Sequence, residues 1–407
     1  MKASVLTSLP LKHLTPKTYK QFFMKVPVEF DPIRPFEPEE LPQVYERLLA
    51  DPQFRQVLAF AVPGVPFEKV REKMLACKTN LEFQLSFCYG FVQFIVDKLT
   101  AGCDMDASAI DVEGRYTFVS NHRDIVLDSG FLDKLLIDVG FKTTCEIAIG
   151  DNLLSLPWVK DLVRVNKSFI VRRGLSPRET LAASRLMSDY MHYAIDVKND
   201  NIWIAQREGR AKDSDDRTQP AILKMMAIGG GKGSVTEKLR SLHIVPLAIS
   251  YEYDPCDYLK AREMQLKRDN PSWKKSAEDD ITSMQTGIMG YKGRVHYQCA
   301  PCIDAWLDTI GNDTPKTEVF DRIAEHIDQG IHSNYRLYPS NFIALDELAG
   351  NPSHADRYTA DEREAFKRYI DGQMAKIDLP DKDEAFLRER MLTMYANPAA
   401  NYLKATR

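Results

Sequence analysis

The sequence predicts an α/β protein: a mixed, largely parallel sheet flanked by helices, with helical additions at both ends. Six short apolar runs of strand length lie in the middle of the chain, and helix-patterned stretches at 127–139, 177–197 and 219–228 separate several of them. Strands that alternate with helices are typical of parallel sheets, because a parallel crossover needs a dozen residues or more. The six runs are 116–120, 144–149, 169–172, 201–206, 244–250 and 294–300.

Residues 1–110 are predicted to be a helical N-terminal region that begins with a basic arm. Within 1–28 there are lysines, leucines and aromatic residues but no acidic residue. Such a segment fits peripheral contact with an anionic membrane surface, where each lysine contributes about 1 kcal/mol, and equally a solvated arm that packs its aromatics on the protein. The apolar stretch 83–96 is shorter than the ~20 residues that span a bilayer.

Residues 111–310 are predicted to be the catalytic α/β domain, and 311–407 a helical C-terminal region. The clearest helix start is that of 177–197, where Ser176 is the N-cap, Pro177 takes the first position and Glu179 completes a capping box.

Composition excludes some classes of protein. A net charge of −4 over 407 residues does not suit a nucleic-acid binder. The seven cysteines form no regular framework, and their odd number favours a reducing compartment. Cys299 and Cys302 have the spacing of a redox or zinc pair, but no second pair lies at ligand spacing, so we interpret this segment as structural and expect no metal. No secretory signal is apparent, and we expect a cytoplasmic protein.

Asn121 and His122 follow the first predicted strand, with Asp124 and Asp128 downstream. A carboxylate that holds one imidazole nitrogen leaves the other able to take a proton. His122 is therefore a candidate general base, although an ordinary helix start capped by Asn121 would look the same.

Two further segments place arginines beside glycine at the ends of predicted strands, where functional groups of such sheets gather. Guanidinium groups hold phosphates and carboxylates in a bidentate manner, and glycine lets a ligand approach the backbone. Taken singly, each segment fits a solvated strand end. The candidate binding residues are Arg172, Arg173, Arg207, Glu208, Gly209 and Arg210.

Together with Val245-Pro246 in a fourth, buried run, these segments resemble in their order the four motifs of the glycerolipid acyltransferase family, which includes glycerol-3-phosphate and 1-acylglycerol-3-phosphate acyltransferases. The resemblance covers roughly residues 115–305. The first motif has an aspartate after its Asn-His pair, matched here by Asp128 but one residue further on than in the family. Asp124, two residues after His122, is the alternative candidate for this aspartate.

The resemblance implies an enzyme of phospholipid biosynthesis that transfers a fatty acyl group from acyl-CoA or acyl-carrier protein to a hydroxyl of glycerol phosphate, a lysophospholipid or a related lipid. His122 would be the general base, and Asp128 or Asp124 would orient its ring. The arginines would hold an acceptor phosphate, with Glu208 and Gly209 shaping that site. No bound cofactor and no nucleic-acid partner are implied.

Two other functions remain open. The first is a catalytically idle lipid-binding protein on the same scaffold. The second is a phosphotransferase, because His122-Arg123-Asp124 is similar to the catalytic loop of protein kinases. Ser129 stands where that loop has an asparagine, and the glycines of 229–234 lack the spacing of a phosphate-binding loop.

Overall fold

The computed structural model of the protein describes residues 25–311 and 314–407. Most of the predicted basic arm therefore lies outside the described residues. No helix within the described ranges is both long enough and apolar enough to cross a membrane.

The N-terminal region is helical, as predicted. Its helices are α1 (Leu41–Ala50), α2 (Pro52–Ala61), α3 (Phe67–Ala76) and a continuous α4 (residues 80–99) with a π-helical turn at Gln84–Cys88. Asp51 caps α2 by accepting hydrogen bonds from the backbone N–H groups of Gln53 and Phe54. These helices bury a small core of their own that includes Leu41, Tyr45 and Met74.

One sheet of seven strands forms the centre of the molecule, in the order β1-β7-β6-β2-β5-β3-β4. All neighbouring strands run parallel except β6 and β7, which are antiparallel. The mixed, largely parallel sheet of the prediction is thus confirmed. The strands are β1 (Cys103–Asp106), β2 (Thr117–Ser120), β3 (Cys145–Gly150), β4 (Ser168–Val171), β5 (Asn201–Ala205), β6 (Ile244–Tyr251) and β7 (Val295–Cys299).

Helices cover both faces of this sheet because successive strand side chains point to opposite sides. Phe118 of β2 lies in the core cluster that contains Phe131, whereas its neighbour Val119 lies in the cluster that contains Tyr190 and Met191. The helices of this part are α5 (Leu127–Asp138), α6 (Pro157–Val165), α7 (Pro177–Tyr193), α8 (Pro220–Met226), α9 (Val235–Arg240), α10 (Asp257–Asp269), α11 (Ala277–Met289) and α12 (Asp304–Leu307).

The C-terminal region is helical and consists of α13 (Lys316–His332), α14 (Pro339–Ala349), α15 (Ala360–Met374) and α16 (Glu384–Ala405). Helix α13 packs on the sheet through Ile323, Ile327 and Ile331. At Gly330 it lies so close to β6 that an added Cβ would be 3.0 Å from the Cβ of Pro246. The other three helices share a separate core cluster with Ala261 of α10.

The structure differs from the predicted boundaries at one element. Strand β1 precedes residue 110, yet it pairs with β7 and belongs to the sheet. It escapes recognition in the sequence because it is an edge strand of four residues, two of which, Asp104 and Asp106, are charged. The division of the chain into domains otherwise stays a prediction.

Candidate active site

Strands β2, β5, β3 and β4 are parallel neighbours, so their carboxyl ends meet at one edge of the sheet. His122 follows β2, residues 206–210 follow β5, and Arg172 and Arg173 follow β4. Because adjacent strands lie about 4.8 Å apart, this topology brings distant segments of the chain within about 15 Å of one another. The predicted site residues therefore share one edge of the sheet.

His122 and Asp128 form the centre of this edge. The Nδ1 atom of His122 lies 2.7 Å from Oδ2 of Asp128, and the backbone N–H of Arg123 donates to the same oxygen over 2.6 Å. The Asp128 side chain is fully buried, whereas 14% of the His122 side chain is exposed. A carboxylate on Nδ1 favours the tautomer that carries its proton there, which leaves Nε2 as a proton acceptor.

Asn121 anchors the start of the turn that carries His122. Its side-chain amide donates to the carbonyl of Ile249 over 2.9 Å, and its Oδ1 accepts the backbone N–H of Ile249 over 2.8 Å. The side chain thus continues the hydrogen-bonding pattern between β2 and β6 beyond the end of β2. Asn121 is fully buried and does not cap the helix, so the ordinary-cap interpretation does not describe it.

Trp203 of β5 supports the imidazole from one side, a contact that sequence reasoning missed. Its ring meets that of His122 edge to face, at 70° and with 5.5 Å between centroids, and its Nε1–H donates to Ser120 Oγ over 2.9 Å. The only signal in the sequence was a tryptophan in a buried strand, which is usually a core residue. Trp203 and Asp128 together restrict the orientation of the His122 ring.

Asp124 has a different environment from Asp128. Its Oδ1 accepts the backbone N–H groups of Val126 and Leu127, at 2.9 and 2.8 Å, and so caps the start of α5. Burial, followed by the charge of Asp128, raises the pKa of Asp124. Asp128, and not Asp124, is therefore the aspartate that the structure places against the imidazole. The turn closed by Asp124 accommodates the additional residue between His122 and Asp128.

Arg123 connects the turn that carries His122 to residues distant in the sequence. Its guanidinium group makes a bidentate ion pair with Asp216, with N–O distances of 3.1 and 2.7 Å, and Tyr335 donates its hydroxyl to the same carboxylate over 2.5 Å. Burial disfavours the guanidinium charge, but the charge and hydrogen bonds of Asp216, together with the other acidic groups nearby, outweigh this effect, and the pKa of Arg123 is raised. The Nζ atom of Lys260 donates to the Arg123 carbonyl over 3.1 Å.

The arginines after β4 and β5 have different surroundings. Arg173 forms an ion pair with Glu208, which joins the ends of β4 and β5, and its Nε is packed over Gly150. Arg172 is exposed and makes no hydrogen bond or ion pair with any described residue. Gly209 has a φ of +68°, a conformation that favours glycine.

Arg207 and Arg210 each have a buried side-chain N–H group that donates no hydrogen bond to any described residue. These are Nε of Arg207 and Nη1 of Arg210. Arg210 lines the same cleft as Lys260, which donates to the Arg123 carbonyl, so Arg210 lies near the turn that carries His122. Donors of this kind are uncommon in folded proteins, and they fit a site for an anionic ligand.

A cleft lies between α10 and α11. The residues that line it include Arg210, Lys260, Arg262, Trp273 and Lys275. Its other cations are neutralised by aspartates: Lys260 pairs with Asp254, Arg262 with Asp279 and Lys275 with Asp280. Among the described residues that line this cleft, Arg210 is the cation without an ion pair.

The fourth motif and the glycine-rich loop are structural in this fold. Val245 and Pro246 are buried near the start of β6, in agreement with the buried run that the sequence predicts. The loop 229–234 packs on α7: the backbone N–H of Gly229 donates to Ser188 Oγ over 2.9 Å, and Gly230 lies against the ring of His192.

The fold and site define an α/β protein in which a histidine contacts a buried aspartate at the edge of the sheet formed by the carboxyl ends of its strands. The same edge carries Arg172, Arg207 and Arg210, which form no ion pair with any described residue. No protein-family model and no curated protein sequence matches the chain. Among solved structures, the chain is similar to the 1-acyl-sn-glycerophosphate (LPA) acyltransferase PlsC from Thermotoga maritima, with a TM-score of 0.33 and 10% sequence identity over 72% of this chain and 95% of that one. A similarity at this level carries no argument about function, which must come from the site.

Proposed function

We propose that this protein is an acyltransferase that moves a fatty acyl group from an acyl thioester to a hydroxyl of glycerol phosphate, a lysophospholipid or a related lipid. The observation that carries this proposal is the contact of His122 with the buried Asp128, at an edge of the sheet that also carries buried arginine N–H groups with no partner among the described residues. This arrangement combines a proton acceptor with groups that bind an anion. Acyl transfer to a phosphorylated acceptor requires both.

In the proposed reaction, Nε2 of His122 takes the proton of the acceptor hydroxyl as its oxygen attacks the thioester carbonyl. The tetrahedral intermediate then collapses, the carbon–sulfur bond breaks, and the proton goes to the departing thiolate. Asp128 supports the positive charge that develops on the imidazole ring. General-base assistance of this kind is worth about 10²–10⁴ in rate. Acyl-CoA or acyl-carrier protein is the proposed donor, with no bound cofactor.

The acceptor phosphate is proposed to bind at Arg207 and Arg210, with Arg172 and Arg173 at the far end of the site. The buried donors of Arg207 and Arg210 have lost water without gaining a partner in the described structure. A phosphate would supply acceptors for both, which makes the ligand-bound state favourable. Glu208 holds Arg173 in place, and Gly209 allows a ligand near the backbone.

The surroundings of Arg123 and Asp124 favour acyl transfer over phosphoryl transfer. In the kinase-like alternative, the aspartate of His122-Arg123-Asp124 would be the catalytic base. Here Asp124 is buried and accepts the backbone N–H groups of Val126 and Leu127 at the start of α5, and Arg123 forms an ion pair with Asp216. The alternative of an idle lipid-binding protein is less favoured because the contact between His122 and its aspartate is intact. A cytoplasmic location with peripheral contact to an anionic membrane remains part of the proposal.

A direct assay tests the reaction. The protein is incubated with acyl-CoA or acyl-carrier protein and one acceptor at a time, and both free thiol and acylated product are measured. We expect acceptor-dependent thiol release that His122→Ala lowers by about 10²–10⁴. His354, which also pairs with an aspartate through Nδ1, at 2.8 Å, is the matched control, and His354→Ala should keep the activity. Absence of transfer with every acceptor would contradict the proposal, and an unchanged rate for His122→Ala would contradict its mechanism.

The phosphate site has its own test. Arg210→Ala should raise KM for a phosphorylated acceptor about 10- to 100-fold, because a charge-assisted hydrogen bond contributes about 1.5–3 kcal/mol. The KM for a monoacylglycerol, which has no phosphate, should change little. Arg388, whose ion pair with Asp371 is exposed, provides the control variant Arg388→Ala. Equal KM values for the phosphorylated acceptor in Arg210→Ala and the wild type would exclude Arg210 as its ligand.

A further inference from the structure

A second group of reactive side chains lies at the opposite edge of the sheet from His122. His243 immediately precedes β6, and Cys302 and Asp304 follow β7. Because β6 and β7 are antiparallel, the start of one strand lies beside the end of the other. One ligand atom from each of the three side chains lies within 4.8 Å of the other two.

The backbone fixes the relative positions of these residues. The N–H of Ala300 donates to the carbonyl of Pro246 over 2.9 Å, and that of Ile303 donates to the carbonyl of Ile244 over 3.0 Å. These bonds continue the β6–β7 pairing beyond the end of β7. His243 has a φ of +47°, which is uncommon for a residue other than glycine. The two segments are thus held together independently of the side chains.

The three side chains offer different ligand atoms. His243 Nδ1 lies 2.6 Å from Oδ2 of Asp304, and Oδ1 of Asp304 is buried with no hydrogen-bond partner among the described residues. Cys302 is a free thiol, so it is not consumed by a disulfide with Cys299. An ordinary histidine–aspartate ion pair would account for the first contact, but not for the buried Oδ1 of Asp304, which has no hydrogen-bond partner among the described residues.

Nitrogen, sulfur and oxygen ligands together are typical of Zn²⁺, which binds imidazole, thiolate and carboxylate in tetrahedral sites. A thiolate and a carboxylate would also balance the two charges of the ion. The His243 side chain is 44% exposed and that of Asp304 22%, so water can reach the fourth position. Hard cations such as Mg²⁺ prefer sites made of oxygen and do not suit this set.

We propose that His243, Cys302 and Asp304 bind one Zn²⁺ ion, which links the start of β6 to the segment after β7. The site is separate from the proposed active site, because it lies at the other end of β6. Its role is to stabilise the junction between the only antiparallel pair of strands in the described sheet. The proposal does not depend on the acyltransferase reaction.

The test is metal binding by the full-length protein after removal of metal with a chelator. The protein is incubated with ZnCl₂, freed of unbound ion by gel filtration, and its zinc content is measured. We expect one Zn²⁺ per chain, and we expect Zn²⁺ to raise the thermal midpoint of unfolding. We expect the Zn²⁺ affinity to fall about tenfold or more in each of the variants Cys302→Ser, His243→Asn and Asp304→Asn, since even residues that only hydrogen-bond to metal ligands contribute that much. Retention of zinc by Cys302→Ser at the wild-type affinity would overturn the proposal.

Two controls separate ligation from general damage. Cys103, a partly buried thiol on β1, gives the matched variant Cys103→Ser, which should bind Zn²⁺ as the wild type does. Co²⁺ provides a readout that needs no variant, because a Co²⁺–thiolate bond produces a charge-transfer band in the near ultraviolet. We expect this band for the wild type and for Cys103→Ser. Its absence in the wild type would show that no thiolate binds the metal, and would likewise overturn the proposal.

Discussion

Asp124 lies on the turn between β2 and α5, and Asp128 lies in the first turn of α5; both are buried, and they contact different groups. Asp128 accepts from the backbone N–H of Arg123 and contacts the imidazole of His122. Asp124 accepts from the first N–H groups of α5. The two carboxylates are thus distinguished by the groups they contact and not by their burial, and a pair of conservative substitutions can tell their roles apart.

We expect Asp128→Asn to lower kcat for acyl transfer by about 10²–10⁴, because the amide can no longer both fix the tautomer of His122 and support its positive charge. Asp124→Asn should keep kcat within a few-fold, because asparagine caps a helix as well as aspartate does. Steady-state kinetics of both variants with a fixed acyl donor is the measurement. A large loss of kcat in Asp124→Asn, with Asp128→Asn unaffected, would reverse the assignment.

Helix α11 lies against the turn between β2 and α5 at one glycine, Gly287. A Cβ added to Gly287 would overlap Oδ2 of Asp124, whereas a Cβ added to Gly372, a glycine of α15, would meet no atom within 4 Å. The absence of a side chain at Gly287 therefore lets α11 approach the turn. Helix α11 is thereby packed against the carboxylate of Asp124, which lies just before α5.

Gly287→Ala should destabilise the protein by about 1–3 kcal/mol, the usual cost of forcing additional atoms into a packed site. Gly372→Ala should stabilise it by about 0.5–1 kcal/mol, because alanine is the better helix former and has room there. Urea unfolding of both variants gives the free energies. If Gly287→Ala proves as stable as Gly372→Ala, the close contact with Asp124 is not part of the folded state in solution.

At the scale of the whole molecule, a buried polar network joins the C-terminal helices to the turn that carries His122. The carboxylate of Asp257, in α10, accepts hydrogen bonds from the hydroxyls of Tyr369 and Tyr395, at 2.9 and 2.7 Å, and from Gln373 over 2.5 Å. From the same helix, Lys260 donates to the carbonyl of Arg123. The C-terminal region therefore reaches the turn of His122 through α10.

This network makes stability depend on pH. Burial, followed by the charge of Asp254, raises the pKa of Asp257 to about 7, compared with about 3.9 in an unfolded chain. Between these values the native protein binds a proton that the unfolded chain does not. The stability that this group contributes is complete below about pH 4 and is lost as the pH rises through about 7.

We therefore expect Asp257→Asn, which cannot ionise, to gain stability relative to the wild type as the pH rises. Between about pH 5 and about pH 7, the difference in unfolding free energy between the variant and the wild type should change by up to about 1.4 kcal/mol per pH unit. It should level off above the native pKa, where Asp257 is ionised in both the folded and the unfolded wild type. Urea unfolding at several pH values measures it. Asp361→Asn, at an exposed position in the first turn of α15, should keep a constant difference from the wild type. A constant difference for Asp257→Asn as well would contradict the raised pKa.

Much of the architecture follows from local pattern. The runs that became β2 to β7 are apolar and bounded by turn residues, and burial on both faces of a sheet requires such runs. Helix α7 was recognisable because its cap residues are local too. Strand β1 was not, because its pairing with β7 depends on a partner nearly two hundred residues away and two of its four residues are charged.

The sequence by itself determined the fold class and the candidates His122, Arg207 and Arg210, because parallel strands bring whatever follows them to a common edge. Only the tertiary structure decided between Asp124 and Asp128, since the direction of each carboxylate depends on the backbone of the turn. It also paired Arg123 with Asp216 and placed His243 beside Cys302 and Asp304. Such contacts join residues far apart in the chain, and no local periodicity encodes them, because they arise only when the strands that carry them are packed in one sheet.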